Sequence, residues 1–259
     1  MEMLIEKYPA FLLVLTRITS FMVTIPLFSY RTIPNRLKIG LSFFLSLIIT
    51  MTLNVPTIEL SSLFIMLLMK EVLIGLLIGI VAFMIISAVQ LAGSFIDFQM
   101  GFAIANVIDP QTGVQSPIIG QLFNILALLF MLSTNAHHLL INGIINSYQY
   151  IPIDQLSVQF SSGQVVETVI IAFQNMFLIA LQMALPIVGS LFLVDVALGI
   201  VARTVPQLNV FVVGLPLKIG ISFLMILLLL SALFLTIHEL IEYMIDVIQK
   251  LIFSLGDIS

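Results

Sequence analysis

A few ionisable side chains interrupt long apolar runs in this sequence, and they are the first candidates for chemistry. Arg17 lies inside the first run, Lys70 and Glu71 are adjacent in a later one, and His137 and His138 form a pair. A charge at mid-membrane depth costs about 2.5–3.5 kcal/mol, so such residues need partners. The sequence has no H-E-x-x-H, no G-x-S-x-G and no glycine-rich phosphate loop. We therefore expect no enzymatic activity.

Lys70 and Glu71 allow three interpretations. Adjacent positions on a helix do not face each other, so we expect these two side chains to find different partners. Lys70 could extend toward a membrane surface while Glu71 makes a polar contact between helices, or the pair could bind other subunits, or it could relay protons or ions. For the second interpretation, the candidate charges at a subunit interface are Arg17, Lys70, Glu71 and Arg203.

The pair His137-His138 could carry protons or bind a metal ion. A metal site needs further ligands at helical spacing, and no His, Cys, Asp or Glu lies within seven residues of the pair. We therefore predict packed or interfacial histidines, with no metal and no cofactor.

The stretch from Gly93 to Pro117 is rich in polar residues and lies between two strongly apolar segments. It is either an external loop or a re-entrant element that lines a cavity, and its length and apolar centre, FAIANVI, favour the second. Large apolar side chains can close a pore by excluding water. The candidate pore or plug residues are Phe98, Met100, Gly101, Phe102, Ile104, Asn106, Asp109 and Pro110.

The composition indicates what surrounds these residues. Hydrophobic residues make up 61% of the 259 positions and charged residues only 8%, whereas soluble domains carry about 25% charged residues. The outer surface must therefore face lipid or other apolar protein. A net charge of -4 without a basic run argues against nucleic-acid binding, and the absence of Cys excludes disulfides and thiolate sites.

The apolar runs predict an all-α integral membrane protein. About 20 apolar residues span the hydrocarbon core, and runs without two-residue alternation favour helices over barrel strands. We expect the first run to be a retained helix rather than a cleaved signal, since Arg17 interrupts it. The third run is too long for a simple span, and its Gly75 and Gly79 predict close helix packing. The six predicted segments are 10–29, 38–55, 60–95, 118–145, 168–194 and 209–237.

Several motifs, in this order, resemble the R-type subunits of the type III export gate over essentially the whole chain. They are LTRITSFMVTIPLF with TIPNRLKIGLSFFLSL near the start, then KEVLIGLLIG, then LAGSFIDFQMGFAIANVIDPQTGVQSP. Each motif alone is weak, but their order and spacing are specific. The region ALPIVGSLFLVDVALGIVARTVPQLNVFVVGLPLKIG is similar to a Q-type hairpin with its corner at Arg203 to Pro206.

The resemblance implies a role in protein export rather than a reaction. It implies a P-like part over 1–150, with a plug loop at about 97–117, and a Q-like hairpin with a C-terminal helix over 168–259. It further implies assembly with P-type (FliP) and Q-type (FliQ) subunits and an FlhB-type switch protein, with unfolded proteins as substrates. The expected location is the inner (plasma) membrane, in the flagellar basal body. The alternative is a small-solute transporter with its site in the interrupted segment 97–117.

Overall fold

The computed structural model describes residues 7–30, 33–52, 58, 62–102, 117–156, 158, 163–207 and 209–256. Over these residues the protein is all-helical, as predicted. The helices are α1 (Tyr8–Thr24), α2 (Asn35–Thr52), α3 (Ser62–Met100), α4 (Ile118–Ser133), α5 (Ala136–Tyr150), α6 (Gly163–Thr204) and α7 (Val210–Leu255).

Helix α2 has the inverse of the pattern found in water-soluble helices. It buries the small hydroxyl residues Ser42, Ser46 and Thr50, and large apolar side chains such as Phe44 and Ile48 are exposed. Each buried hydroxyl donates to the carbonyl four residues earlier, at 2.6–2.8 Å, so no hydroxyl is left unpaired. A helix that turns small polar residues inward and large apolar ones outward is suited to an apolar environment.

Three of the described helices, α3, α6 and α7, are long and apolar enough to cross a membrane, and the bent pair α4–α5 could form a fourth span. The third predicted run is indeed over-long, since α3 continues for 39 residues without a break. The predicted apolar segment 118–145 is divided into α4 and α5 at Asn135. Asn135 has a left-handed φ of 56°, which Asn tolerates better than most residues.

The chain folds as two compact units that interleave in sequence. One unit takes its described residues from 1–85, 131–173 and 241–259, and the other takes them from 86–130 and 174–240. These units do not follow the division into parts 1–150 and 168–259 that the resemblance implies. The likeness of those two parts to P-type and Q-type subunits stays a prediction.

Glycines allow α3 to lie directly against α1 in the first unit. A Cβ added at Gly75 would overlap the Ser20 hydroxyl and the Arg17 carbonyl oxygen, and one at Gly79 would overlap the Thr24 hydroxyl. The close helix packing predicted from the G-x-x-x-G spacing is therefore confirmed. It brings the α1 backbone beside the α3 turn that carries Lys70 and Glu71.

Gly75→Ala should destabilise the protein by about 1–3 kcal/mol, because the new methyl group pushes α1 away from α3. The matched control is Gly40→Ala, since a Cβ at Gly40 meets no atom within 4 Å. The measurement is thermal unfolding of the purified protein in mild detergent. Equal stability of the two variants would contradict the close contact between α1 and α3.

Candidate functional site

The first unit contains a buried ion pair between Arg17 of α1 and Glu71 of α3. The guanidinium binds the carboxylate through two nitrogens: Nε donates to Oε2, and Nη2 donates to Oε1 at 2.9 Å. Both side chains are 0% exposed. A two-point pair of this kind fixes orientation as well as distance, because the guanidinium and the carboxylate are both planar.

The remaining contacts of Arg17 connect α1 to α5. Nη1 donates to the Ser147 hydroxyl at 2.9 Å, and Nη2 also donates to the backbone carbonyl of Ile151 at 3.0 Å. The guanidinium carbon lies 4.1 Å from the centre of the Tyr148 ring, close enough for a cation–π contact. Arg17 therefore joins three helices at one buried point.

Lys70 completes this charge cluster. Its Nζ donates to the carbonyls of Pro152 and Gln155 at 2.7 and 2.8 Å, and it lies 3.0 Å from Oε1 of Glu71. The expectation that Lys70 and Glu71 find separate partners was therefore wrong in part. Each has its own partner, but both side chains are long enough to meet each other as well.

The cluster has two cations and one carboxylate, so one positive charge needs further compensation. The cations meet the carbonyls of Ile151, Pro152 and Gln155, which follow the end of α5 at Tyr150. The C-terminal end of a helix carries a partial negative charge. The end of α5 and the three carbonyls thus help to offset the excess positive charge, together with the Asp154 carboxylate near Lys70.

The cluster has the geometry of a structural junction. Arg17, Lys70 and Glu71 satisfy one another inside one unit of this chain, so their charges already have partners. Arg203 lies exposed in the last turn of α6. The subunit-interface role of these four residues stays a prediction.

The second unit contains a carboxylate, Asp97 of α3, that caps the beginning of α4. Its oxygens accept hydrogen bonds from the backbone N–H groups of Ile119, at 2.9 Å, and Gly120, at 3.1 Å. These are the second and third residues of α4, whose N–H groups have no partner within the helix. Pro117, just before α4, has no side-chain acceptor, so Asp97 supplies the cap from another helix.

The backbones of α3 and α4 meet beside this cap. A Cβ at Gly93 would overlap Gly120, and a Cβ at Gly120 would lie 2.8 Å from the Gln90 carbonyl oxygen. Two glycines that face each other allow this approach, which brings the Asp97 carboxylate within reach of α4.

Helix α3 ends at a glycine cap. Gly101 has a φ of 92°, its N–H donates to the Phe98 carbonyl at 3.2 Å, and the Phe102 N–H donates to the Asp97 carbonyl at 3.1 Å. This pair of bonds is the Schellman arrangement, in which a residue of positive φ stops the helix. A side chain at Gly101 would strain this conformation.

The candidate plug residues divide into described and undescribed positions. Phe98 is 74% exposed, Phe102 is half-buried, and Met100 is fully buried within the chain. Ile104, Asn106, Asp109 and Pro110 lie outside the described residues.

A second polar contact holds the last turn of α3. Gln99 Nε2 donates to Asp195 of α6 at 2.9 Å, and Asp195 also pairs with Lys218 of α7 at 2.7 Å. Asp195 is 39% exposed and Lys218 16%. The last turn of α3 is thereby bonded to α6, and through Asp195 to α7.

Comparison with known proteins places the chain in a family. The model of the bacterial export proteins, family 1, matches residues 8–244. The chain belongs to this family. It is 53% identical to the flagellar biosynthetic protein FliR of Bacillus subtilis over 257 residues, which cover 99% of each protein. Against the Escherichia coli protein of the same name the identity is 31%, with 92% of each covered.

A further relative of this export protein comes from a virulence system. The chain is 33% identical to the Yop proteins translocation protein T of Yersinia pestis over 174 residues, which cover 67% of this chain and 66% of the relative. These relatives carry export and translocation names rather than the names of enzymes. They agree with the sequence resemblance.

Sequence reasoning located the charges of this export protein but missed most of their partners. Asp195 and Lys218 were not selected, although a lone acid and a lone base in successive apolar runs indicate an ion pair. The Asp97 cap had no comparable signal, because Asp97 lies 22 residues before Ile119.

The pair His137-His138 is partly exposed, and the centres of its two rings lie 4.2 Å apart.

Arg17→Ala should lower the free energy of unfolding by about 3–5 kcal/mol, because it removes one partner of a buried ion pair. Arg17→Lys should restore only part of this loss, since one ammonium group cannot reproduce the two-point contact with Glu71. Unfolding by denaturant in mild detergent measures both effects.

The control for this series is Lys250→Ala, which removes an exposed partner of Asp246. We expect this variant to unfold like the unaltered protein, since exposed ion pairs contribute little. If Arg17→Ala were as stable as Lys250→Ala, the buried cluster would not be a junction of the fold.

Proposed function

We propose that this chain is a core subunit of the flagellar type III protein export gate. In this proposal it forms, with P-type (FliP) and Q-type (FliQ) subunits, the channel through which unfolded flagellar proteins leave the cell. An FlhB-type switch protein is a further partner. The assembly lies in the inner (plasma) membrane, within the flagellar basal body.

The observation that carries the proposal is the 53% identity to a flagellar FliR protein over 99% of both chains. The virulence relative is matched over only 67% of this chain, so the flagellar system is favoured. The three long apolar helices among the described residues fit a membrane component. The sequence carries no nucleotide-binding motif, so other components of the machinery must supply the energy for export.

The segment at about 97–117 acts as the plug of the resting channel in this proposal. Support comes from the end of α3, where Phe98 is 74% exposed and Gly101 stops the helix. Apolar side chains at this point exclude water and ions until an unfolded chain displaces them. The plug residues are those selected from the sequence: Phe98, Met100, Gly101, Phe102, Ile104, Asn106, Asp109 and Pro110.

Phe102→Ser should make the resting gate leak ions, because a small polar side chain admits water where an aromatic ring excludes it. Gly101→Val should make the gate leak ions or block export, because valine is strained at a φ of 92°. Gly101→Asn should have a smaller effect on both, since Asn tolerates positive φ. The measurements are ion uptake by resting cells and the amount of exported flagellar protein.

The matched control is Phe44→Ser, which makes the same change at an exposed position of α2. It should leave both ion tightness and export unchanged. If the Phe102 and Gly101 variants behaved like this control, the plug assignment would be wrong.

Affinity purification of the tagged chain in mild detergent tests membership of the gate itself. We expect P-type and Q-type subunits to co-purify in fixed ratio, because a gate subunit completes its surface against its neighbours. A pure homo-oligomer, or a single chain that transports a small solute after reconstitution, would overturn the proposed function.

A further inference from the structure

The last turn of α3 is held from two sides. Asp97 and Gln99 are two positions apart, so their side chains leave α3 about 200° from each other. Asp97 contacts the backbone of α4, and Gln99 contacts Asp195 of α6.

The contact of Asp97 is buried and specific. The Asp97 side chain is buried and accepts from two backbone N–H groups of α4. The facing glycines at 93 and 120 allow the two helices to approach closely enough for these bonds. An acid at the N-terminus of a helix also benefits from the partial positive charge there. The end of α3 therefore has a set position relative to the start of α4.

The contact of Gln99 connects the same turn to the α6 and α7 helices. Asp195 accepts from Gln99 with one oxygen and pairs with Lys218 through the other. The ion pair with Lys218 holds the Asp195 carboxylate in place beside Gln99. The turn is thus bonded to three other helices, directly to α4 and α6 and through Asp195 to α7.

This turn ends at a glycine stop. Gly101 has a φ of 92° and completes the Schellman arrangement. In its second hydrogen bond the Phe102 N–H donates to the Asp97 carbonyl. Asp97 therefore contributes its side chain to the start of α4 and its carbonyl to the end of α3.

We propose that Asp97 and Asp195 are positioning residues of the export gate, which fix the last turn of α3 so that Phe98 and Phe102 occupy the position that seals the resting channel. This inference rests on the proposed function, since it assigns a task to the plug residues. It adds that the seal depends on two carboxylates that do not themselves contact the exported chain. Loss of either carboxylate lets the turn move and opens the seal.

The test uses the assembled gate, purified and in cells, with Asp97→Ala and Asp195→Asn. Hydrogen exchange of the peptide that contains Ile119 and Gly120 should become about tenfold faster in Asp97→Ala, as expected when the side chain that caps the helix is removed. Both variants should raise the resting ion leak while the amount of assembled gate stays the same. Asp195→Glu, which keeps the carboxylate at a partly exposed position, should stay tight.

The matched control is Asp246→Asn, the same change at an exposed carboxylate paired with Lys250. It should alter neither the hydrogen exchange of the peptide with Ile119 and Gly120 nor the resting ion leak. If Asp97→Ala does not assemble, the comparison of Asp195→Asn with Asp195→Glu decides by itself. The positioning role predicts an ion leak in Asp195→Asn only, and equal leak in these two variants would overturn it.

The outcomes separate this inference from the proposed function. Two results would overturn the positioning role and leave the plug assignment intact. One is unchanged hydrogen exchange at Ile119 and Gly120. The other is an unchanged ion leak in the Asp97 and Asp195 variants while Phe102→Ser leaks. Tight gates in all variants, including Phe102→Ser, would overturn the plug and the positioning role together.

Discussion

Polar groups inside this protein must find partners within the protein, because lipid supplies none, and this constraint shapes both compact units. In the first unit the buried Arg17 guanidinium is satisfied by Glu71, Ser147 and the Ile151 carbonyl. In the second unit the N–H groups of Ile119 and Gly120 in α4 are satisfied by Asp97. These groups obtain their partners from other parts of the chain, and the bonds set which helices lie together.

Small residues make those bonds possible. Gly75 and Gly79 let α1 lie against α3, and Gly93 and Gly120 let α3 lie against α4. A hydrogen bond between helices requires backbones close enough for a short side chain to reach across, as Asp97 does. The same α3 helix uses this device twice, once in each unit. Packing and polar contacts are therefore not independent features of this fold.

The sequence predicted the class of fold and the charged residues within the apolar runs, but several local details were decided by the structure. The single segment 118–145 is two helices, because Asn135 takes a left-handed conformation that hydropathy does not record. Lys70 and Glu71 meet although their positions diverge on α3, because both side chains are long. Met100, selected for a pore, is buried within the chain, since its apolar character fits a core as well as a seal.

The sequence by itself determined the environment, the helical character, the close-packing glycines and the family resemblance that the comparisons bear out. These follow from composition, from apolar runs and from the order of motifs, all of which are local or additive along the chain. Only the tertiary structure decided the partners: Arg17 with Ser147, 130 residues away, and Gln99 with Asp195, 96 residues away. The physical reason is that helical periodicity states which residues share a face, whereas the helix that packs against this face depends on the whole chain.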